Sequence, residues 1–212
     1  MESKLRAINR VTRVAGDLQG TEAGEALIAQ GAAEYEDITR SGLAFHCINP
    51  TTTAAVIAVP TTAALLSIWN SAADGGKSII VDAIFGYAVA GGAVLYQAGL
   101  IYVLGQTRTT TNGGAIVVRR NNGYGATNDS IALCDDVATL DAVTGVVVGW
   151  NPVGNSVTSA VASLGGLALF ERVDGRIIVP PGRLLGVHVL ASAVGTTWQV
   201  GVMWHEKQIK LA

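Results

Sequence analysis

From Ala83 to Thr107 the chain runs 25 residues without one charged side chain. That is long enough to cross a bilayer as a helix, which takes about 20 apolar residues. The segment, AIFGYAVAGGAVLYQAGLIYVLGQT, is broken by Gly86, Gly91, Gly92, Gly99 and Gly105 and carries Gln97 in its middle. Its apolarity comes largely from Ala, Gly and Val, and no basic cluster flanks either end, as a spanning helix would favour. The segment therefore reads as paired buried strands rather than as a membrane helix. Met1 to Arg13 holds charges where a signal peptide needs an apolar core, so no secretion signal is expected.

The scarcity of charge extends well past that stretch. Residues 1–40 hold 12 of the 30 charged side chains among 212 residues. The other 172 residues carry nine basic and nine acidic groups, about one residue in ten, against roughly 25% in ordinary soluble domains. A body so poor in charge is expected to hide part of its outside against copies of itself or other proteins. Net charge is −2, which leaves no basic excess to neutralise phosphates and argues against direct nucleic-acid binding. The two cysteines, Cys47 and Cys134, stand 87 positions apart among apolar neighbours. A disulfide between them is open, but without a secretion signal they read as buried, reduced thiols in a protein assembled in a cytoplasm.

Two regions follow from the patterning: an N-terminal arm over 1–40 and a domain over 41–212. In the arm, Leu5, Ile8, Val11 and Val14 recur every three residues between Lys4, Arg6, Arg10 and Arg13, and Gly16 follows as a stop. This predicts a short amphipathic helix, with a second over Thr21–Ala33 weakened by Gly24 and Gly31. An arm that docks on a neighbouring subunit and a frayed terminus remain equal readings. After Ser41, short apolar runs alternate with breakers at Asn49-Pro50, Pro60, SAADGGK, NNGYGATND, Asn151-Pro152, Asp174-Gly175 and Pro180-Pro181-Gly182. In TTWQVGVMWHE, Trp198, Val200, Val202 and Trp204 share one face, while Gln199, Gly201, Met203 and His205 share the other. Leu185, Val187 and Val189 oppose Leu184, Gly186, His188 and Leu190 in the same way, and Ala193–Thr196 between the two runs suits a hairpin. The fold class read here is all-β, an antiparallel β-sandwich of jelly-roll type with a partly helical or extended arm.

No Walker A loop, dinucleotide fingerprint, nucleophile elbow, HExxH or paired CxxC occurs. No cofactor is expected. Cys134-Asp135-Asp136 with Asp141 is the nearest approach to a metal cluster, but it lacks the alternation and distal Glu of a calcium loop and reads as a solvated acidic turn. His46, His188 and His205 each sit alone on a strand and read as hydrogen-bonded core or interface residues. In a trimer, His188 would also repeat around the axis, where it could hold an ion. Arg119-Arg120 with NNGYG reads as an exposed hairpin loop, with phosphate or glycan binding as the alternative. Trp198 and Trp204 read as anchors of the sandwich or of a trimer.

The run GRIIVPPGRLLGVHVLASAVGTTWQVGVMWHE resembles the closing strands of β-sandwich virion proteins from tailed bacteriophages. GLAFHCINPTTTAAVIAVPTTAALLSIWN followed by GGKSIIVDAIFGYAVAG resembles their upstream strands. The resemblance spans about residues 41 to 206. Pro180-Pro181-Gly182 and Trp204-His205-Glu206 match as structural marks, and the charged arm departs from the pattern. The resemblance implies a non-enzymatic homotrimer of jelly rolls on the capsid surface, assembled in the host cytoplasm. Its partner would be the major capsid protein, with no membrane involved, and its role that of a cement or decoration protein. A tail- or fibre-associated module binding a receptor or glycan is the alternative. On the cement reading, Arg6, Arg10 and Arg13 of the arm meet acidic capsid surface.

Overall fold

The computed structural model describes residues 6–8, 15–17, 35–73, 75–90, 95–106, 114–125, 129–141, 149–154, 157–159, 168–193 and 195–208. The chain forms two compact units, Met1–Asp37 and Ile38–Ala212. In the first, β1 (Arg6–Ile8) pairs antiparallel with β2 (Ala15–Asp17), Arg6 opposite Asp17. The helix expected over Leu5–Val14 is thereby corrected. The β-branched Ile8, Val11 and Val14 favour extended backbone, and a helix this short cannot offset its nucleation cost alone. Arg10, Arg13 and the second expected helix lie outside the described residues. A single helical turn, α1 (Glu36–Arg40), ends at Gly42, whose φ of +72° needs no Cβ to be accommodated.

The second unit holds β3 (Ala44–Ile48), β4 (Thr53–Ala54), β5 (Ala63–Asn70), β6 (Lys77–Ala90), β7 (Tyr96–Gln106), β8 (Gly114–Ile116), β9 (Arg119–Arg120), β10 (Ala132–Thr139), β11 (Asn151–Pro152), β12 (Val157–Ser159), β13 (Ala168–Val179), β14 (Leu184–Ala191) and β15 (Thr197–Gln208). One sheet runs β13-β6-β15-β3-β9, with β4 also on β15. The other runs β11-β7-β14-β5-β10-β8, with β12 also on β7. Pairing is nested. β3 pairs with β15, β5 with β14, β6 with β13, and β7 with β11 and β12. The chain thus behaves as one long double-back, first strand against last and inner strands against inner strands, rolled into two layers. That is the jelly-roll solution to the edge-strand problem. β8 and β9 are one short run, Gly114–Arg120, that leaves one sheet and joins the other, closing one side of the sandwich.

The charge-free stretch forms β6 and β7, which pair with other strands and belong to opposite sheets. Among the described residues no helix is long and apolar enough to cross a membrane. Several local expectations are corrected. Ala193–Thr196 is not a hairpin, because β14 and β15 lie in different sheets and the loop arches between them. Asp174-Gly175 does not separate two strands. Both residues adopt the left-handed region, φ 49° and 76°, but within continuous β13, where the register jumps from Arg172 opposite Ala83 to Ile177 opposite Val81. The turn chemistry is used for a bulge, braced by Arg176 Nη2 donating to Arg172 O at 2.7 Å. Arg119-Arg120 is strand β9 rather than loop.

The core lies between the layers. Phe45, Ile79, Val81, Ile84, Trp198, Val200, Val202 and Trp204 meet Leu66, Ile68, Leu100, Leu185, Val187 and Val189 in one buried cluster. The period-two faces expected for β14 and β15 point inward as expected. Two asparagines at strand ends are buried and saturated. Asn70 Nδ2 donates to Lys77 O and Val179 O at 2.9 and 3.0 Å. Asn49 Nδ2 donates to Thr51 O at 2.6 Å, while its Oδ1 accepts from the Val200 N–H. Each amide stitches one strand end to segments that the ladders leave unpaired, which is why a polar group is tolerated there.

Candidate functional site

The two outer faces of the sandwich are built differently. On the β7-β14-β5-β10 sheet, Leu140 and the partly buried Trp150 lie with Ala64, Val103, Ala138 and Leu184 in a second apolar cluster. The chain therefore covers that face itself. His188 is buried beneath it, its ring edge-on to Trp150 at 6.4 Å between centroids. Its Nδ1 accepts from the Val189 N–H at 2.8 Å, and burial pushes its pKa below the ordinary histidine value against a smaller opposing effect of the Val189 backbone. The acidic turn expected at Asp135-Asp136 is corrected here. Both residues lie within β10 and are buried, Asp135 opposite Ser67 and Asp136 opposite Leu66. Acidity outweighed strand pattern in the sequence reading, because the pairing of β10 with β5 that carries Asp135 and Asp136 into the sheet has no local signature.

Among the described residues, the outer face of the β13-β6-β15-β3 sheet has no such covering cluster. Phe170, Phe85, Gly201 and Ile48 stand directly opposite one another across four neighbouring strands. Phe170 is 57% exposed and Ile48 41%. The next row adds Ala168, Tyr87 and Gln199, and the row on the other side Arg172, Ala83, Met203 and His46. Tyr87, Val89 and Met203 are exposed as well. An antiparallel sheet with one face in water ordinarily alternates apolar inward and polar outward. Here the central outward row is apolar across four strands, and Gln199, Arg172 and His46 enter only in the rows beside it. Polar groups gather at its lower border, where His205 Nδ1 lies 2.8 Å from Asp82 Oδ1 and His46 Nδ1 lies 2.6 Å from Asn121 Oδ1. Asp82 is the residue set out by the register jump in the β6–β15 ladder between Met203 and Trp204.

Chemically the face can bury area against a flat partner, at about 25 cal/mol for each Å² of apolar surface removed from water. It offers no nucleophile–base pair. Among the described residues no group of three or more His, Cys, Asp or Glu is placed to hold a metal ion. A groove of about 490 Å³ between β7 and β14 is lined mainly by Ile57, Leu100, Ile101 and Leu190. Its polar groups are spent on each other, the Gln97 N–H donating to Ser192 Oγ at 2.8 Å and the Ser192 N–H to Gln97 O at 2.8 Å.

The remaining expected residues fall in separate places. Trp198 and Trp204 are fully buried between the sheets, on β15, whereas His188 is on β14 of the other sheet. Arg6 lies in β1 of the first unit. In the NNGYG loop Tyr124 is 80% exposed, and Arg120 Nη2 lies 3.1 Å from Asp129 Oδ2. The apolar face was not anticipated, although its signal was present: Phe85, Tyr87 and Val89 on one parity of β6, and Gly201 and Met203 on the outward parity of β15.

No family model matches the chain, and no curated protein does. Among solved structures, a chain from a marine algae virus of the order Picornavirales is similar over 93% of this chain and 83% of its own, at 12% identity and a TM-score of 0.25. A likeness that distant carries no functional inference.

Proposed function

We propose that the protein is a non-enzymatic structural component of a virion, a capsid cement or decoration protein that self-associates, as a homotrimer, and clamps major capsid subunits. The observation that carries this reading is the contrast between the two sheet faces. One is roofed by Leu140 and Trp150 of the same chain, and the other presents Phe170, Phe85, Gly201 and Ile48 in a row, with Phe170 57% and Ile48 41% exposed among the described residues. A contiguous apolar patch on an otherwise folded domain marks a protein–protein interface, and the low charge of residues 41–212 agrees with it. The arm supplies a second contact, with Arg6, Arg10 and Arg13 facing acidic capsid surface.

The test combines solution mass with shell binding. Light scattering without detergent should return about three times 21.8 kDa, and the double variant Phe170→Asp, Met203→Asp should shift the mass toward one chain or abolish co-sedimentation with shells of the major capsid protein. A wild-type monomer that ignores such shells overturns the reading. Replacing Arg6, Arg10 and Arg13 together by Ala should weaken shell binding in a salt-dependent way. The exposure of Tyr124 favours a second reading, a fibre or tail module that stacks the ring on a sugar. Loss of glycan-array signal in Tyr124→Ala would select it.

A further inference from the structure

Cys47 and Cys134 come from opposite sheets and meet at the side of the sandwich closed by Gly114–Arg120. Cys134 on β10 stands opposite Ile116, where that run leaves the second sheet. Cys47 follows His46, which stands opposite Arg119, where the run joins the first sheet. Both thiols are free, buried and part of the same core cluster, and Cys47 is near enough to help raise the Cys134 pKa. The backbone pairing of the strands uses neither sulfur.

We propose that Cys47 and Cys134 are a latent inter-sheet crosslink, reduced in a reducing cytoplasm and closed to a disulfide by a small-molecule disulfide once the protein reaches an oxidising medium. The step balances by thiol–disulfide exchange. One cysteine loses its proton to solvent and attacks a sulfur of oxidised glutathione, releasing one glutathione thiolate. The second cysteine, deprotonated in turn, attacks the mixed disulfide, forming the Cys47–Cys134 bond and releasing the second glutathione. Two protein thiols are oxidised and one glutathione disulfide is reduced. Burial first, and then the neighbouring Cys47 and Asp135, hold the Cys134 thiol well above its usual range, so exchange is slow at neutral pH and accelerates as pH rises. Two thiols buried in one cluster at the same closed side of the sandwich are placed for approach to the bonding geometry of about 2 Å between sulfurs.

The full-length reduced protein is incubated with oxidised glutathione at pH 7 and pH 9, quenched in acid, unfolded and alkylated. The expected product is a monomer that has lost two hydrogens, takes up no alkylating agent and retains no glutathione, with a faster rate at pH 9. Closing a link across 87 positions should raise the thermal midpoint by roughly 10 °C, and a thiol reductant should reverse it. A retained glutathione adduct, a disulfide-linked dimer, or two thiols still alkylated after prolonged exposure at pH 9 overturns the proposal. Cys47→Ser and Cys134→Ser, tested singly, should each lose the midpoint shift. If either fails to fold, the mass result on the natural sequence decides alone.

Discussion

The Phe85 ring lies across Gly201: a Cβ built at 201 would stand 2.1 Å from Phe85 Cζ. The glycine is therefore the seat of the central aromatic of the outer face, and Phe170 and Ile48 extend the same row on either side. Gly201→Ala should push the ring off the sheet. Because the ring is the free end of a side chain, the fold should survive at a cost of about 1 kcal/mol in urea unfolding. The solution mass should fall toward the monomer, and an unchanged assembly would show that this face is not the contact.

The two core tryptophans should respond differently to loss of the indole nitrogen. Trp198 Nε1 donates to buried Thr196 Oγ1 at 3.1 Å, whereas Trp204 Nε1 is buried without a hydrogen-bond partner. Trp198→Phe strands the Thr196 hydroxyl and should cost about 2 kcal/mol. Trp204→Phe should cost less. Trp204→Ala, which also removes the ring stacked on Phe45 at 6.2 Å, should cost about 3 to 5 kcal/mol. Urea midpoints at constant slope measure all three.

Stability should fall with acid through His188. Its folded pKa is lowered by burial, so the unfolded chain binds the proton more readily. The contribution is fully present above the unfolded value near 6.5 and is lost as pH falls below it toward the lower folded value. His188→Asn should flatten the drop in unfolding free energy between pH 7.5 and pH 5. An equal slope in wild type and variant would assign the acid sensitivity elsewhere.

Glu206 ends the inward face of β15 as a buried carboxylate. Its Oε1 accepts from Ser130 Oγ at 2.5 Å and from the Ile131 N–H at 2.8 Å, with Lys77 Nζ at 3.7 Å from Oε2. Glu206→Ala leaves two half-buried donors unpaired and should cost about 2 kcal/mol. Glu206→Gln keeps an acceptor and should cost about 1 kcal/mol in the same urea assay.

The sandwich was legible because burial imposes a period of two on β14 and β15, and that period is a local property of Leu185 to Val189 and Trp198 to Trp204. Partner choice was not legible. Ala193–Thr196 has the composition of a hairpin, but whether two successive strands pair or arch to opposite sheets depends on which other strands compete for their edges. Asp174-Gly175 shows the same limit, since left-handed backbone serves a bulge as well as a turn. The burial of His188 depends on Trp150 and Leu140 lying over the sheet beside it, a contact between segments about 40 to 50 positions apart in the chain. The apolar row across Phe170, Phe85, Gly201 and Ile48 required the register of four strands and was invisible to any one of them.

Nested pairing has a consequence for how the molecule is made. β15 follows every other described strand in the chain, yet it sits in the middle of its sheet, between β6 and β3. Until it arrives, β3 and β6 have an open slot between them, and the inward faces of both layers lack Trp198 and Trp204. A growing chain must hold the facing edges of those two strands unpaired until β15 is made, the long-range condition that slows folding and leaves strand edges open to other chains. The order of assembly is thus written into the topology: the sheet closes only when β15 enters between β6 and β3, and the chain is most dependent on chaperones or dilution until that strand is in place.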